Sequence, residues 1–123
     1  MSMENSVSAK ELLKKYYERL SRKSGWEHLL SENFLLTGTV GKETRGRDVY
    51  MNNSFFKLVR GLKVKEMVVE GGRAFALVNY DLVSPKGRTL SCDVAEFWKL
   101  KEGKLDSIAI YFDTTAFSNF MAQ

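Results

Sequence analysis

The chain predicts an α+β fold, a curved antiparallel sheet with helices packed over one face, and three observations carry that prediction. Apolar residues recur at helical spacing up to about Arg60, then switch to period two and hold it almost to the end. Short turn segments, Gly71-Gly72, SPKGR from Ser84 and KEGK from Lys101, cut the second part into strands. Helices first and an antiparallel meander after them is the α+β order. With 123 residues, 44% of them hydrophobic and 28% charged, the chain is expected to form one domain over 1–123. Residues 1–7 are expected to be a loose N-terminus.

The first helix is expected to start at Ser8, whose hydroxyl can cap it, with Glu11 completing a capping box. Leu12, Leu13, Tyr16, Tyr17 and Leu20 then form one apolar stripe, with lysines and arginines opposite. A short second helix is predicted from Gly25 to Leu30 and a strand over Phe34–Val40. After the loop GKETRGR a third helix is predicted from Arg47 to Arg60, with Met51, Phe55 and Leu58 inward. Four strands follow: Leu62–Glu70, Arg73–Val83, Thr89–Leu100 and Leu105–Asp113. A final short helix is predicted over Thr115–Met121, and Asp113 is placed to cap it.

Lys and Arg outnumber Asp and Glu by 19 to 15, a net charge of +4. The basic residues concentrate on the first helix, at Lys10, Lys14, Lys15, Arg19, Arg22 and Lys23. Glu11 and Glu18 interrupt them and no aromatic–basic alternation accompanies them, so they read as a solvated face rather than a nucleic-acid surface. A single cysteine, Cys92, excludes an internal disulfide, and a single histidine, His28, makes no metal site. No apolar run is long enough to span a bilayer, and MSMENSVSAK lacks the apolar stretch of a signal peptide. The expected location is cytoplasmic, and no phosphate-cradling glycine loop points to an organic cofactor.

Both faces of the long strands are substantially apolar, which a sheet with one wet face does not show. The expectation is that one face lies under the helices and that the outer face meets a second copy of the chain. A two-residue turn after Pro85 places Glu96 opposite Leu77, and a three-residue loop at EGK places it opposite Ile110. On that register Phe75, Leu77, Asn79 and Asp81 share the inner face with Cys92, Val94, Glu96 and Trp98. Ala74, Ala76, Val78 and Tyr80 then fall on the outer face. Glu96 stands out, because a carboxyl among apolar neighbours is desolvated and its charged form disfavoured.

The closing segment EGKLDSIAIYFDTTAF, with Gly46-Arg47-Asp48 opening the third helix, resembles the nuclear transport factor 2-like superfamily over roughly residues 8–120. That group includes SnoaL-like polyketide cyclases, ketosteroid isomerases and limonene epoxide hydrolases. The resemblance implies a cone, a curled sheet wrapped around helices to leave a pocket. It does not carry the epoxide-hydrolase machinery. The Arg and first Asp positions of that family fall on Leu77 and Asn79, the second Asp on Ile110 and the Tyr on Leu36. The ketosteroid-isomerase pattern maps better, its oxyanion-holding Tyr and protonated acid falling on Tyr16 and Glu96, a chemistry known from that family. Its base falls near Thr37, where this sequence has no carboxylate.

The candidate catalytic set is therefore Tyr16 and Glu96 as an oxyanion-stabilising pair, with Asp81 as a replacement base and Asn79 beside it. Leu36, Leu77, Cys92, Val94, Ile108, Ile110 and Phe112 are expected to line the pocket. The ligand expected is small, hydrophobic and carbonyl-bearing. The function expected is a SnoaL-like or ketosteroid-isomerase-like proton transfer, the alternative being a non-catalytic ligand-binding or dimerisation module of the same fold.

Overall fold

The structure, a computed structural model, describes residues 6–38 and 44–122. It contains α1 (Ser6–Ser21), β1 (Leu30–Gly38), β2 (Arg45–Gly46), α2 (Arg47–Met51), α3 (Phe55–Leu58) and β3 (Val59–Glu70). These are followed by β4 (Arg73–Val83), β5 (Thr89–Lys101), β6 (Lys104–Phe112) and α4 (Thr114–Ala122), and a 3-10 turn, Trp26–Leu29, precedes β1. One six-stranded sheet runs in the order β2-β1-β6-β5-β4-β3. Every neighbouring pair is antiparallel except β1 and β6, which are parallel. After β2 the chain crosses through α2 and α3 to β3 at the opposite edge, and the meander then returns to lay β6 parallel to β1. Gly38 lies opposite Ile110, where an added Cβ would stand 2.9 Å from the Ile110 carbonyl oxygen. Only glycine lets the two strands approach so closely there.

Several local expectations are corrected. Helix α1 is described from Ser6, so the expected start at Ser8 falls inside the helix. Strand β1 starts at Leu30, upstream of Phe34, and the expected strand end at Val40 lies outside the described residues. The expected helix Arg47–Arg60 is broken into α2 and α3 by Asn52-Asn53-Ser54. The Asn53 carboxamide oxygen accepts the Phe55 N–H at 2.9 Å, an Asx turn that competes with helical bonding. The chain is already strand by Val59.

The largest correction concerns register. Between β4 and β5 the turn has three residues, Pro85-Lys86-Gly87, closed by bonds from Ser84 N–H to Arg88 O (2.8 Å) and Gly87 N–H to Ser84 O (2.9 Å). Gly87 takes φ 86°, the left-handed position that a three-residue hairpin loop requires. Glu96 is therefore paired with Ala76, not Leu77. A slip of one residue inverts every side chain of a strand. Ala74, Ala76, Val78, Tyr80 and Leu82 consequently point inward, and Phe75, Leu77, Asn79 and Asp81 point outward. At the β5–β6 turn the expected pairing of Glu96 with Ile110 holds. A two-residue turn, Glu102-Gly103, together with a bulge between Lys99 and Leu100, produces the register of a three-residue loop.

The core lies between the inner sheet face and α1. Leu13, Tyr16, Tyr17 and Leu20 of α1 are buried against Val78 and Tyr80 of β4 and Val94 and Trp98 of β5. Small residues make the room: Ala74 faces Trp98 across the strands and Ala76 faces Glu96. Helix α4 closes one end through Phe117 and Phe120. Its first turn is capped as expected, the Asp113 carboxylate accepting the Ala116 N–H at 2.9 Å.

Candidate active site

The concave side of the sheet encloses a cavity of about 360 Å³. Its apolar wall includes Leu36 of β1, Val94 of β5, Ile110 and Phe112 of β6, and Phe55 of α3. The first four are among the expected lining residues. The polar wall residues are Thr37, Arg45, Tyr50, Asn53, Ser54, Tyr80 and Glu96. The volume lies within the range of small-molecule sites, and a mostly apolar wall with a few converging polar groups is their usual composition.

Glu96 is the buried end of this arrangement, 3% exposed although it carries a carboxyl group. Strand alternation turns it inward between Val94 and Trp98, and Ala76 opposite leaves space for it. Both carboxyl oxygens are engaged. The Tyr17 hydroxyl donates to Oε1 and the Tyr80 hydroxyl donates to Oε2, the latter at 2.7 Å. Behind Tyr17, the Trp98 indole N–H donates to the Tyr17 oxygen at 2.9 Å. Burial pushes the Glu96 carboxyl up to about 7, and the two phenol hydrogen bonds, which favour the charged form, oppose that rise. Burial, first, and then the Glu96 charge push the Tyr17 and Tyr80 phenols well above their ordinary value, so both remain protonated donors.

Tyr16 is not the partner of Glu96. Its hydroxyl is 2.5 Å from that of Tyr50, a cavity-wall residue of α2, and its ring packs edge-on against Tyr17 and Trp98. One position along a helix turns a side chain by about 100°, which is enough to hand the role to Tyr17. Tyr80 was placed on the outer face by the expected register and so was absent from the candidate set. The signal for it was in β4 itself: the face Ala74, Ala76, Val78, Tyr80, Leu82 carries no charge or amide, whereas the other carries Asn79 and Asp81.

Asn79 and Asp81 lie on the outer face, away from the cavity. The Asp81 carboxylate accepts both Arg60 Nε (3.1 Å) and an Arg60 terminal nitrogen (3.0 Å). Asn79 donates to Ser91 Oγ and Asp93 Oδ1, each at 2.9 Å, and Asp93 also accepts Lys65 Nζ at 2.8 Å. The structure thus does not bring the expected replacement base to Glu96. Leu77 faces outward for the same register reason. Cys92 and Ile108 do face inward but lie outside the cavity wall. Cys92 pairs with Tyr80 across the strands, with burial raising its thiol above its ordinary value, and Ile108 packs beside Trp98 in the core. His28 contributes its backbone carbonyl to Lys104 Nζ at 2.8 Å. Among the described residues, no three His, Cys, Asp or Glu side chains gather as a metal site would require. Among them too, no helix is long and apolar enough to cross a membrane.

Neither a family model nor a curated protein matches the chain. Solved structures do. A protein from Jannaschia sp. classed as a SnoaL-like polyketide cyclase is similar with a TM-score of 0.81 at 12% identity, covering 95% of this chain and 93% of that one. An NTF2-like protein of unknown function from Burkholderia pseudomallei gives 0.81 at 16% identity, covering 94% of this chain and 98% of that one. TerC, co-crystallised with polyporic acid, gives 0.79 at 17% identity, covering 94% and 99%. The helix order, the curved six-stranded sheet and these superpositions agree. The chain carries the nuclear transport factor 2-like fold that its closing segment resembles.

Proposed function

We propose that the chain binds a small, largely apolar, carbonyl-bearing molecule in the concave cavity, with its oxygen directed to the Tyr80–Glu96 pair. The observation that carries this reading is the buried Glu96 carboxyl, bonded to two phenols at the end of a mostly apolar wall. A donor pair held in a desolvated site stabilises negative charge developing on a carbonyl oxygen when a base from solvent, water or hydroxide, takes a proton from the neighbouring carbon. That is the step an isomerase or a cyclase needs. Ligand binding by this fold is supported by TerC, which was crystallised with polyporic acid. The test is deuterium incorporation next to the carbonyl of cyclic ketones in D₂O, followed by NMR. Tyr80→Phe is expected to slow exchange by about 100-fold. Exchange at the unmodified protein's rate in Tyr80→Phe removes the pair from the chemistry.

A second reading is non-catalytic binding of the same ligand class. It is favoured by the cavity wall, where Glu96 is the one carboxyl among the described residues and Asp81 lies on the other face. Tight ketone binding without any exchange is the result that selects it.

The outer sheet face completes the proposal. Val68, Phe97 and Tyr111 are about half exposed or more, and Phe75 packs against Phe97 with ring centroids 5.0 Å apart. An apolar patch of this kind on the outer sheet face suits a two-fold interface with a second copy. Phe97→Lys is expected to convert a dimer into a monomer in sedimentation velocity. A chain that sediments as a monomer without the substitution contradicts this part.

A further inference from the structure

The hydrogen-bond chain ending at Glu96 has a direction. Trp98 Nε1 can only donate, so the Tyr17 oxygen is already an acceptor. Tyr17 is buried, its one hydroxyl proton has Glu96 Oε1 as its only acceptor among the described residues, and it therefore points there. Oε1 is thus held as an acceptor in both charge states of the carboxyl. When Glu96 takes up a proton, that proton must sit on Oε2, the oxygen facing Tyr80. The protonated Oε2 then donates to the Tyr80 oxygen, and Tyr80's own proton must turn elsewhere. Its ring is fixed against Phe55, and both residues form the cavity wall, so the open direction is the cavity.

We infer that Trp98, Tyr17, Glu96 and Tyr80 form a directional relay in which Tyr80 meets the ligand. In this relay the site takes up one proton from solvent with each acceptor-only oxygen it binds. The inference rests on the ligand-binding reading above and sharpens it: the preferred ligand presents a ketone-type or anionic oxygen rather than a hydroxyl proton. With Glu96 ionised, the Tyr80 proton is spent on Oε2 and the Tyr80 end of the relay offers the cavity only lone pairs. With Glu96 neutral, the cavity is offered a donor backed by a second donor. Trp98 and Tyr17 are positioning residues, because they decide which carboxyl oxygen is protonated.

The groups that face Glu96 are consistent with a single proton being exchanged. Tyr16 and Tyr17 of α1, Tyr50 of α2 and Tyr80 of β4 are phenols pushed above their ordinary value, first by burial. Ala76 and Ile110 flank Glu96 across the strands, and neither titrates. Arg45 of β2 is the cation on the cavity wall among the described residues. Glu96, titrating at about 7, is left as the group that changes charge between pH 6 and 9.

The test compares two probes of one shape, 2-acetylnaphthalene, whose ketone only accepts, and 2-isopropylnaphthalene, which has no oxygen. Their dissociation constants are measured on the full chain from pH 5 to pH 9. The ketone is expected to bind with constant affinity below about pH 6 and to weaken about tenfold per pH unit above about 7, since only the protonated fraction is competent. The hydrocarbon is expected to show no such slope. Calorimetry at pH 8 in two buffers of different ionisation enthalpy should report uptake of one proton per ketone. In Tyr80→Phe the ketone's slope should vanish and its affinity at pH 6 should fall to the hydrocarbon's. Equal, flat profiles for both probes overturn the relay and leave the binding site standing. A slope that survives Tyr80→Phe overturns the assignment of Tyr80, because Glu96 then meets the oxygen itself. Failure of either probe to bind at any pH removes the cavity reading and the relay together.

Discussion

Glu96→Gln isolates what a buried carboxyl does to the stability of this fold. In the folded chain Glu96 holds its proton up to about pH 7, whereas in the unfolded chain it releases it near the ordinary 4.5. Each tenfold change in proton affinity is worth 1.36 kcal/mol, so the displacement amounts to about 3 kcal/mol. The sign follows from which state binds more protons. Between pH 4.5 and 7 the folded state does, so this contribution is fully present below 4.5 and is lost as pH rises through 7. Glutamine reproduces the neutral acid: its carbonyl accepts from Tyr17, and its amide donates to Tyr80. The variant should therefore lack this pH dependence while keeping every other titrating group. Urea denaturation of both proteins at pH 5, 6, 7 and 8 gives the difference directly. Relative to the variant, the wild-type chain should lose about 2 to 3 kcal/mol between pH 5 and 8, most of it between 5 and 7. A difference that stays flat, or that favours the wild type as pH rises, refutes the assignment of Glu96 as a buried acid with a raised proton affinity.

Three further outcomes follow from the same contacts. Tyr16→Phe removes the bond to Tyr50 and should lower stability by about 1 kcal/mol, as read by denaturation, while leaving the Glu96 titration midpoint where it is. Asp81→Asn and Asn79→Ala break only outward-facing contacts, so each should change stability by less than about 1 kcal/mol and leave ligand affinity within experimental error. Ala76→Leu drives three extra carbons into a fully buried position opposite Glu96. It should destabilise by about 1 to 3 kcal/mol and displace the carboxyl, visible as a lost pH dependence of folding.

Much of the fold is readable in the sequence because α1 and the meander from β3 to β6 each keep a single clean period. The α1 stripe of Leu13, Tyr16, Tyr17 and Leu20 and the strand alternation from β3 to β6 leave one way to bury both. Glu96 is readable for the same reason, since one carboxyl among Val94, Trp98 and their neighbours needs a structural explanation. Its partners are not. Choosing Tyr17 over Tyr16 requires the rotation of α1 about its axis, which two adjacent tyrosines on one apolar stripe do not fix. Finding Tyr80, and removing Asn79 and Asp81, requires the length of one hairpin loop. Pro85-Lys86-Gly87 closes with Gly87 in the left-handed region, and that single extra residue inverts the whole of β4. The break after Met51 was signalled by Asn52-Asn53-Ser54, three residues whose side chains compete for backbone hydrogen bonds, but the apolar stripe around them reads as unbroken helix.

The most direct test of the central claim is a carboxyl-carbon NMR titration of Glu96 in the intact chain and in Tyr17→Phe. A midpoint near 7 is expected in the wild-type chain. A higher midpoint is expected in Tyr17→Phe, because a hydrogen bond that favours the charged form has been removed. A wild-type midpoint in the ordinary carboxylate range, or one that ignores the loss of the Tyr17 hydroxyl, would contradict the claim.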